Sequence, residues 1–116
     1  MANPNIVNVS SILGKTKTQA ATTVLANLLV GVTDKILKVN TVIASNTNTS
    51  TAYEATLTYN DGTTDVDIAQ SIIVPAKASL IIIDKASSLY MEEGHTIQVK
   101  GNNTAIEFTI SYEEIS

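Results

Sequence analysis

The sequence predicts an all-β domain, an antiparallel β-sandwich of jelly-roll or Ig-like type with about eight short strands, preceded by an extended N-terminal arm. Three observations carry this prediction. Ile, Val and Thr outweigh the good helix formers, which favours pleated surfaces. Apolar and polar residues alternate strictly over Tyr53–Tyr59 and again over Ile106–Tyr112. No segment is long and periodic enough for the helix of a βαβ crossover, so a parallel sheet is excluded. At 116 residues the chain suits one core, with residues 1–14 as the arm and 15–116 as the domain.

Taken from the start, the arm NPNIVNVSSILG is apolar at Ile6, Val7, Val9, Ile12 and Leu13 and contains no turn to fold it back. Two readings stand here: an arm whose apolar teeth add to a sheet edge, its own or a neighbour's, and a first strand of the same domain. Thr22–Val32 has a partly helical spacing at Leu25, Leu28, Leu29 and Val32. Its Thr, Val and Asn are poor helix residues and Gly31 interrupts it, so a strand is expected. Ile36–Ala44 is a further strand, and the uncharged polar run Ser45–Thr51 is a loop.

Tyr53, Ala55, Leu57 and Tyr59 are expected to face inward, with Glu54, Thr56 and Thr58 outward. Asn60-Asp61-Gly62 follows as a hairpin turn, because Gly takes positive φ at little cost and Asn or Asp tolerates it. The return strand runs through Val66, Ile68, Ile72 and Val74, slips in phase near Ala69–Ser71, and stops at Pro75. Leu80-Ile81-Ile82-Ile83 is an unbroken apolar run, expected to be a central strand covered on both faces. Tyr90-Met91 leads to a turn at Glu92–His95, then to a strand through Ile97 and Val99 that ends at Gly101-Asn102-Asn103. The last strand sets Ile106, Phe108, Ile110 and Tyr112 against Glu107, Thr109 and Ser111.

Composition removes whole classes of chemistry. Charged residues make up 16% of the chain, against about 25% in an average soluble domain, so uncharged Thr, Asn and Ser must cover the surface. With seven scattered Lys, no Arg and a net charge of -4, direct binding of nucleic acid is not expected. The absence of Cys excludes disulfides, thiolate nucleophiles and zinc-thiolate sites. The start MANPNIVNVSS lacks the basic and apolar regions of a secretory signal, and no apolar run approaches the roughly 20 residues of a membrane span.

No catalytic residue, metal ligand or cofactor site is predicted. His95 is the sole histidine and is expected as an exposed turn residue. Asp61, Asp65 and Asp67 offer oxygen ligands but lack the loop length and closing Glu of a calcium hand. The five glycines are isolated, so there is no phosphate loop, and the aromatics are too few to stack single strands.

Three segments carry a resemblance: NPNIVNVSSILGKT at 3–16, LYMEEGHTIQVKG at 89–101 and EFTISYEEIS at 107–116. These are similar to small virion structural proteins of tailed phages, particularly those of marine cyanobacteria. The motifs are short and of β type, and the middle of the chain does not share them. The resemblance implies a many-copy particle component without catalysis. A capsid decoration or cement protein laid on the major capsid protein by its arm is the first expectation, and a tail or neck component the second. Homo-oligomers or many-copy assembly are implied as well. A ligand- or carbohydrate-binding β-sandwich module is the alternative from another class, although no Trp is present to form a sugar platform.

Overall fold

The computed structural model describes residues 11–116. The described residues form nine strands, β1 Ile12–Ala20, β2 Ala26–Val30, β3 Ile36–Asn46, β4 Tyr53–Asn60, β5 Asp65–Val74, β6 Ser79–Ile83, β7 Leu89–Met91, β8 Thr96–Gly101 and β9 Ile106–Ile115, and one 3-10 turn at Lys85–Ser87. Every strand pair is antiparallel. The first sheet has the order β1-β9-β3-β6, with β7 also on β3, and the second has the order β2-β8-β4-β5.

This order is that of a jelly roll. β6 and β7 pair with successive parts of β3 and act as one interrupted strand, so the nine strands do the work of eight. The pairs β4 with β5, β3 with β6 and β7, β2 with β8, and β1 with β9 are nested inside one another. Each of them is centred between Gly62 and Thr64, from Asn60 opposite Asp65 out to Ile12 opposite Ile115. The domain is therefore one long hairpin, rolled until β9 meets β3 and β8 meets β4. Its tip is the expected turn: Gly62 has φ +98, and the Asp61 carboxylate accepts from the Thr63 and Thr64 amides.

Two irregularities keep apolar side chains inside. In β3 the register shifts at Asn40, so Leu37 and Val39 before it and Val42 and Ala44 after it all reach the core. β5 shifts twice, past Ile68 and past Gln70-Ser71, which turns Ala69, Ile72 and Val74 inward. Phe108, Leu57, Leu28 and Met91 are among the fully buried side chains between the sheets.

Several expectations change. The strand within Thr22–Val32 is confined to Ala26–Val30. Ile12–Gly14, assigned to the arm, pair with β9 from Ile115 to Glu113 and so begin β1; Ile6, Val7 and Val9 lie outside the described residues. Leu80–Ile83 is an edge strand, not a central one: among the described residues β6 pairs only with β3, and Ile81 faces solvent. An unbroken apolar run does not distinguish a strand covered twice from one whose outer side is open. Thr56 and Thr58, expected outward in solvent, are covered, because β5 and β8 carry their own side chains over that face.

Candidate interaction surface

One end of the sandwich is built from the β2–β3, β4–β5 and β7–β8 turns. The Gly31 amide donates to the His95 carbonyl at 2.8 Å, and the Asp34 amide donates to the Glu93 carboxylate at 2.6 Å. His95 is drawn into this cluster rather than exposed, with its side chain only 20% accessible. Its Nδ1 is hydrogen-bonded to the Tyr59 hydroxyl at 2.6 Å, and the two rings meet edge to face. Glu92 Oε2 stands 3.9 Å from the other ring nitrogen. Burial, aided by the Glu92 charge, pushes the Tyr59 hydroxyl above its ordinary pKa and holds it neutral. The chain Tyr59-His95-Glu92 thus presents no activated nucleophile, and its geometry ties three turns together.

The acidic residues of the hairpin are separately engaged. Asp61 caps its own turn, and its carboxyl pKa is lowered by the Thr64 and Thr63 amides. Asp65 accepts from the Asn60 amide, and Asp67 from the Thr58 hydroxyl. Among the described residues no three His, Cys, Asp or Glu side chains converge as a metal site.

The outer face of the second sheet carries a polar row in register across all four strands: Asn27, Gln98, Thr58 and Asp67. Beside it lies a groove of about 270 Å³ bounded by Thr23, Glu54, Thr56, Ser71, Lys100 and Asn102. It has hydroxyls, amides and charges, but no aromatic wall on which a sugar ring would stack.

The sides of the sandwich differ from its faces. Among the described residues β1 pairs with β9 alone, and no other strand lies along its second edge. Of its nine residues only Gln19 is partly covered; Ile12 and Leu13, the two arm candidates that are described, are both exposed. The strand is tied down by Glu114, whose carboxylate lies 2.5 Å from the Lys15 ammonium and 2.5 Å from that of Lys35. These two lysines hold the Glu114 carboxyl below the usual carboxylate range. Sequence reasoning missed Glu114, although its position continues the inward phase of Phe108, Ile110 and Tyr112.

The exposed large apolar side chains are segregated. On strands they occur at Ile12 and Leu13 of β1, Val30 of β2, Val66, Ile68 and Ile73 of β5, Ile81 of β6 and Tyr90 of β7; Val24 and Val32 flank β2. Among the described residues the inner strands β3, β4, β8 and β9 carry none. Single-strand patterns miss this, because it depends on which strands end up at the edges.

No family model and no curated protein matches the chain. Two solved structures of a pentameric capsid protein isolated from metagenomic phage sequences are similar, each at 17% identity and a TM-score of 0.41 over 86% of this chain. The chain spans 64% and 60% of the length of those two chains.

Proposed function

We propose that the chain is a structural component of a phage virion, present in many copies and working through contacts rather than catalysis. The observation that carries this reading is the placement of exposed apolar side chains on the edge strands and their turns, beside broad faces rich in uncharged polar groups. Apolar patches with a polar surround are what protein contacts use, and Thr, Ser and Asn desolvate at lower cost than charges. The resemblance of segments 3–16, 89–101 and 107–116 to virion proteins of tailed phages supplies the class of particle.

Within that class we favour a decoration or cement protein on the capsid exterior. Its contacts to the major capsid protein would be made by the arm, through Ile6, Val7, Val9, Ile12 and Leu13, and by the open edge of β1. The arm is tested by deleting residues 2–10, which leaves β1 whole. The expected outcome is unchanged thermal unfolding of the isolated protein and loss of the chain from purified particles. Retention of the truncated chain on particles overturns the arm's role. Antibody labelling of intact particles on the tail overturns the capsid assignment, and absence of the chain from purified particles overturns the virion reading.

A further inference from the structure

β1 belongs to the first sheet without belonging to the core. Its register on β9 runs without a shift from Ile12 opposite Ile115 to Ala20 opposite Glu107. Ser11 and Ser116 extend the ladder with two reciprocal backbone hydrogen bonds, at 3.2 and 3.0 Å. Yet among the described residues no side chain of the hydrophobic core, and none packed against it, comes from β1. On β9, by contrast, Ile106, Phe108, Ile110, Glu114 and Ile115 are all buried. Lifting β1 away therefore exposes almost no apolar surface of its own, and water replaces most of what the ladder loses.

The point at which such an opening stops is also defined. Directly after β1, the Ala21 amide donates to the Ile106 carbonyl at 2.7 Å, and the Gly101 amide donates to the Thr22 carbonyl at 3.0 Å. Ala21 is buried, so a strand that peels from its free end comes away up to Ala20. β9 keeps its pairing with β3 along the other edge. The vacated edge is selective: the covered Glu114 carboxylate is left with Lys35 alone, and the Ser111 hydroxyl loses that of Thr16, 3.4 Å away. An unrelated strand restores the backbone ladder only. β1 of another copy brings Lys15 to Glu114 and Thr16 to Ser111 in the same register.

We propose that β1 is an exchangeable strand, which leaves its own β9 and pairs with β9 of a second copy, the two copies trading strands reciprocally. Every hydrogen bond and ion pair between β1 and β9 is remade in the exchanged pair, so protein concentration shifts the balance between the two forms. The exchange is a property of this chain alone and stands apart from its place on a particle.

The chain has no Cys, so single thiols report the exchange. Thr16→Cys and Ser111→Cys are made in separate full-length proteins, because these residues face each other across β1 and β9. The two proteins are mixed at high concentration and treated with oxidised glutathione. Thiols held face to face react far above their bulk concentration, so the expected result is a covalent heterodimer about tenfold or more above the level each variant gives alone. Thr16→Cys mixed with Glu107→Cys, which is more exposed but lies opposite Ala20, stays at that background. Amide exchange of the wild-type protein is the second readout, with β1 opening at denaturant concentrations where β3 remains protected. Cross-linking of the matched pair at background, equal cross-linking of matched and mismatched pairs, or protection of β1 equal to that of β3 overturns the proposal.

Discussion

Lys15 and Glu114 hold the outermost strand of the first sheet to its neighbour, with 2.5 Å between ammonium and carboxylate. Lys15 lies opposite Tyr112 in the register, one inward position along β9 from Glu114. The lysines at this site are partly in water, but the carboxylate is nearly covered. Pairs this open at one end are individually weak, whereas a covered carboxylate that loses its charge leaves two ammonium groups without a counterion. Glu114→Gln is expected to lower stability by about 1–2 kcal/mol, read by chemical denaturation. Amide exchange in β1 should rise more than in β3, since β1 contributes almost no buried side chain of its own. Equal protection of β1 in both proteins would refute this role.

The same carboxylate sets an acid limit. The Glu114 pKa is lowered in the fold, first by the hydrogen bond from Lys15 and then by that from Lys35. A group with a depressed folded pKa stabilises the protein above its unfolded pKa, about 4.3 for Glu, and that stability is lost as pH falls toward the folded value. Asp61 is shifted in the same direction by the Thr64 and Thr63 amides. Denaturation midpoints should therefore fall below about pH 4.5, and the fall should be shallower in Glu114→Gln. Parallel acid profiles for the two proteins would count against the assignment.

At Gly31 the backbone of the β2–β3 turn packs directly on that of the β7–β8 turn, its amide donating to the His95 carbonyl at 2.8 Å. A Cβ there would lie 2.4 Å from the Glu92 carbonyl oxygen and 3.1 Å from that of His95, both of them backbone. Neither can move without opening the turn that orients His95. Gly31→Ala is expected to cost about 2–3 kcal/mol, a drop in Tm on the order of 10 °C. Gly14→Ala, with none of the described residues within 4 Å of its Cβ, serves as the control and should leave Tm within a few degrees.

What was legible in the sequence was local. Asn60-Asp61-Gly62 announced its turn through the backbone freedom of one glycine and the capping of one aspartate, and the strands beside it followed from period-two alternation. Because every nested pair is centred on that turn, the whole roll is an extension of it. Closure of β9 on β3 and of β8 on β4 has no such local signature. Leu80–Ile83 shows the limit, since its composition suits a central strand and its position is an edge. His95 shows it again. Its turn was evident, but the Tyr59 hydroxyl that covers it lies 36 residues away in the chain. For the candidate surface, the apolar residues were visible as types, while their exposure at the edge strands came only with the strand order.

Ser71 marks the second register shift of β5 and has φ +50, a conformation that L residues with a Cβ adopt at a cost. It is held there by its amide, which donates to the covered Thr56 hydroxyl at 2.9 Å. Ser71→Gly should stabilise the protein by about 0.5–1 kcal/mol, less whatever backbone entropy the glycine gains when unfolded. Thr56→Val keeps the shape but removes the acceptor, and a loss of about 1–2 kcal/mol is expected. The opposite signs, measured by thermal unfolding, separate backbone strain from hydrogen bonding at one site; a loss in both variants would mean that the serine side chain itself matters.

Tyr59 and His95 set a limit on the alkaline side. Burial raises the Tyr59 pKa first and the Glu92 charge adds to it, so the folded state favours the neutral phenol. A tyrosine with a raised folded pKa contributes stability that is fully present below its unfolded pKa, about 10, and is lost as pH rises through the folded value. Tyr59→Phe removes that titration together with the hydrogen bond to His95 Nδ1. At pH 8 the variant should be less stable by about 1 kcal/mol, because the ring nitrogen loses a partner in a mostly covered site. Above pH 10 the difference should narrow, since the unfolded wild-type chain alone gains by ionising this hydroxyl, which the fold keeps neutral. A gap that stays constant from pH 8 to 11 would mean that the hydroxyl is free to ionise in the folded protein, contrary to the geometry of these turns.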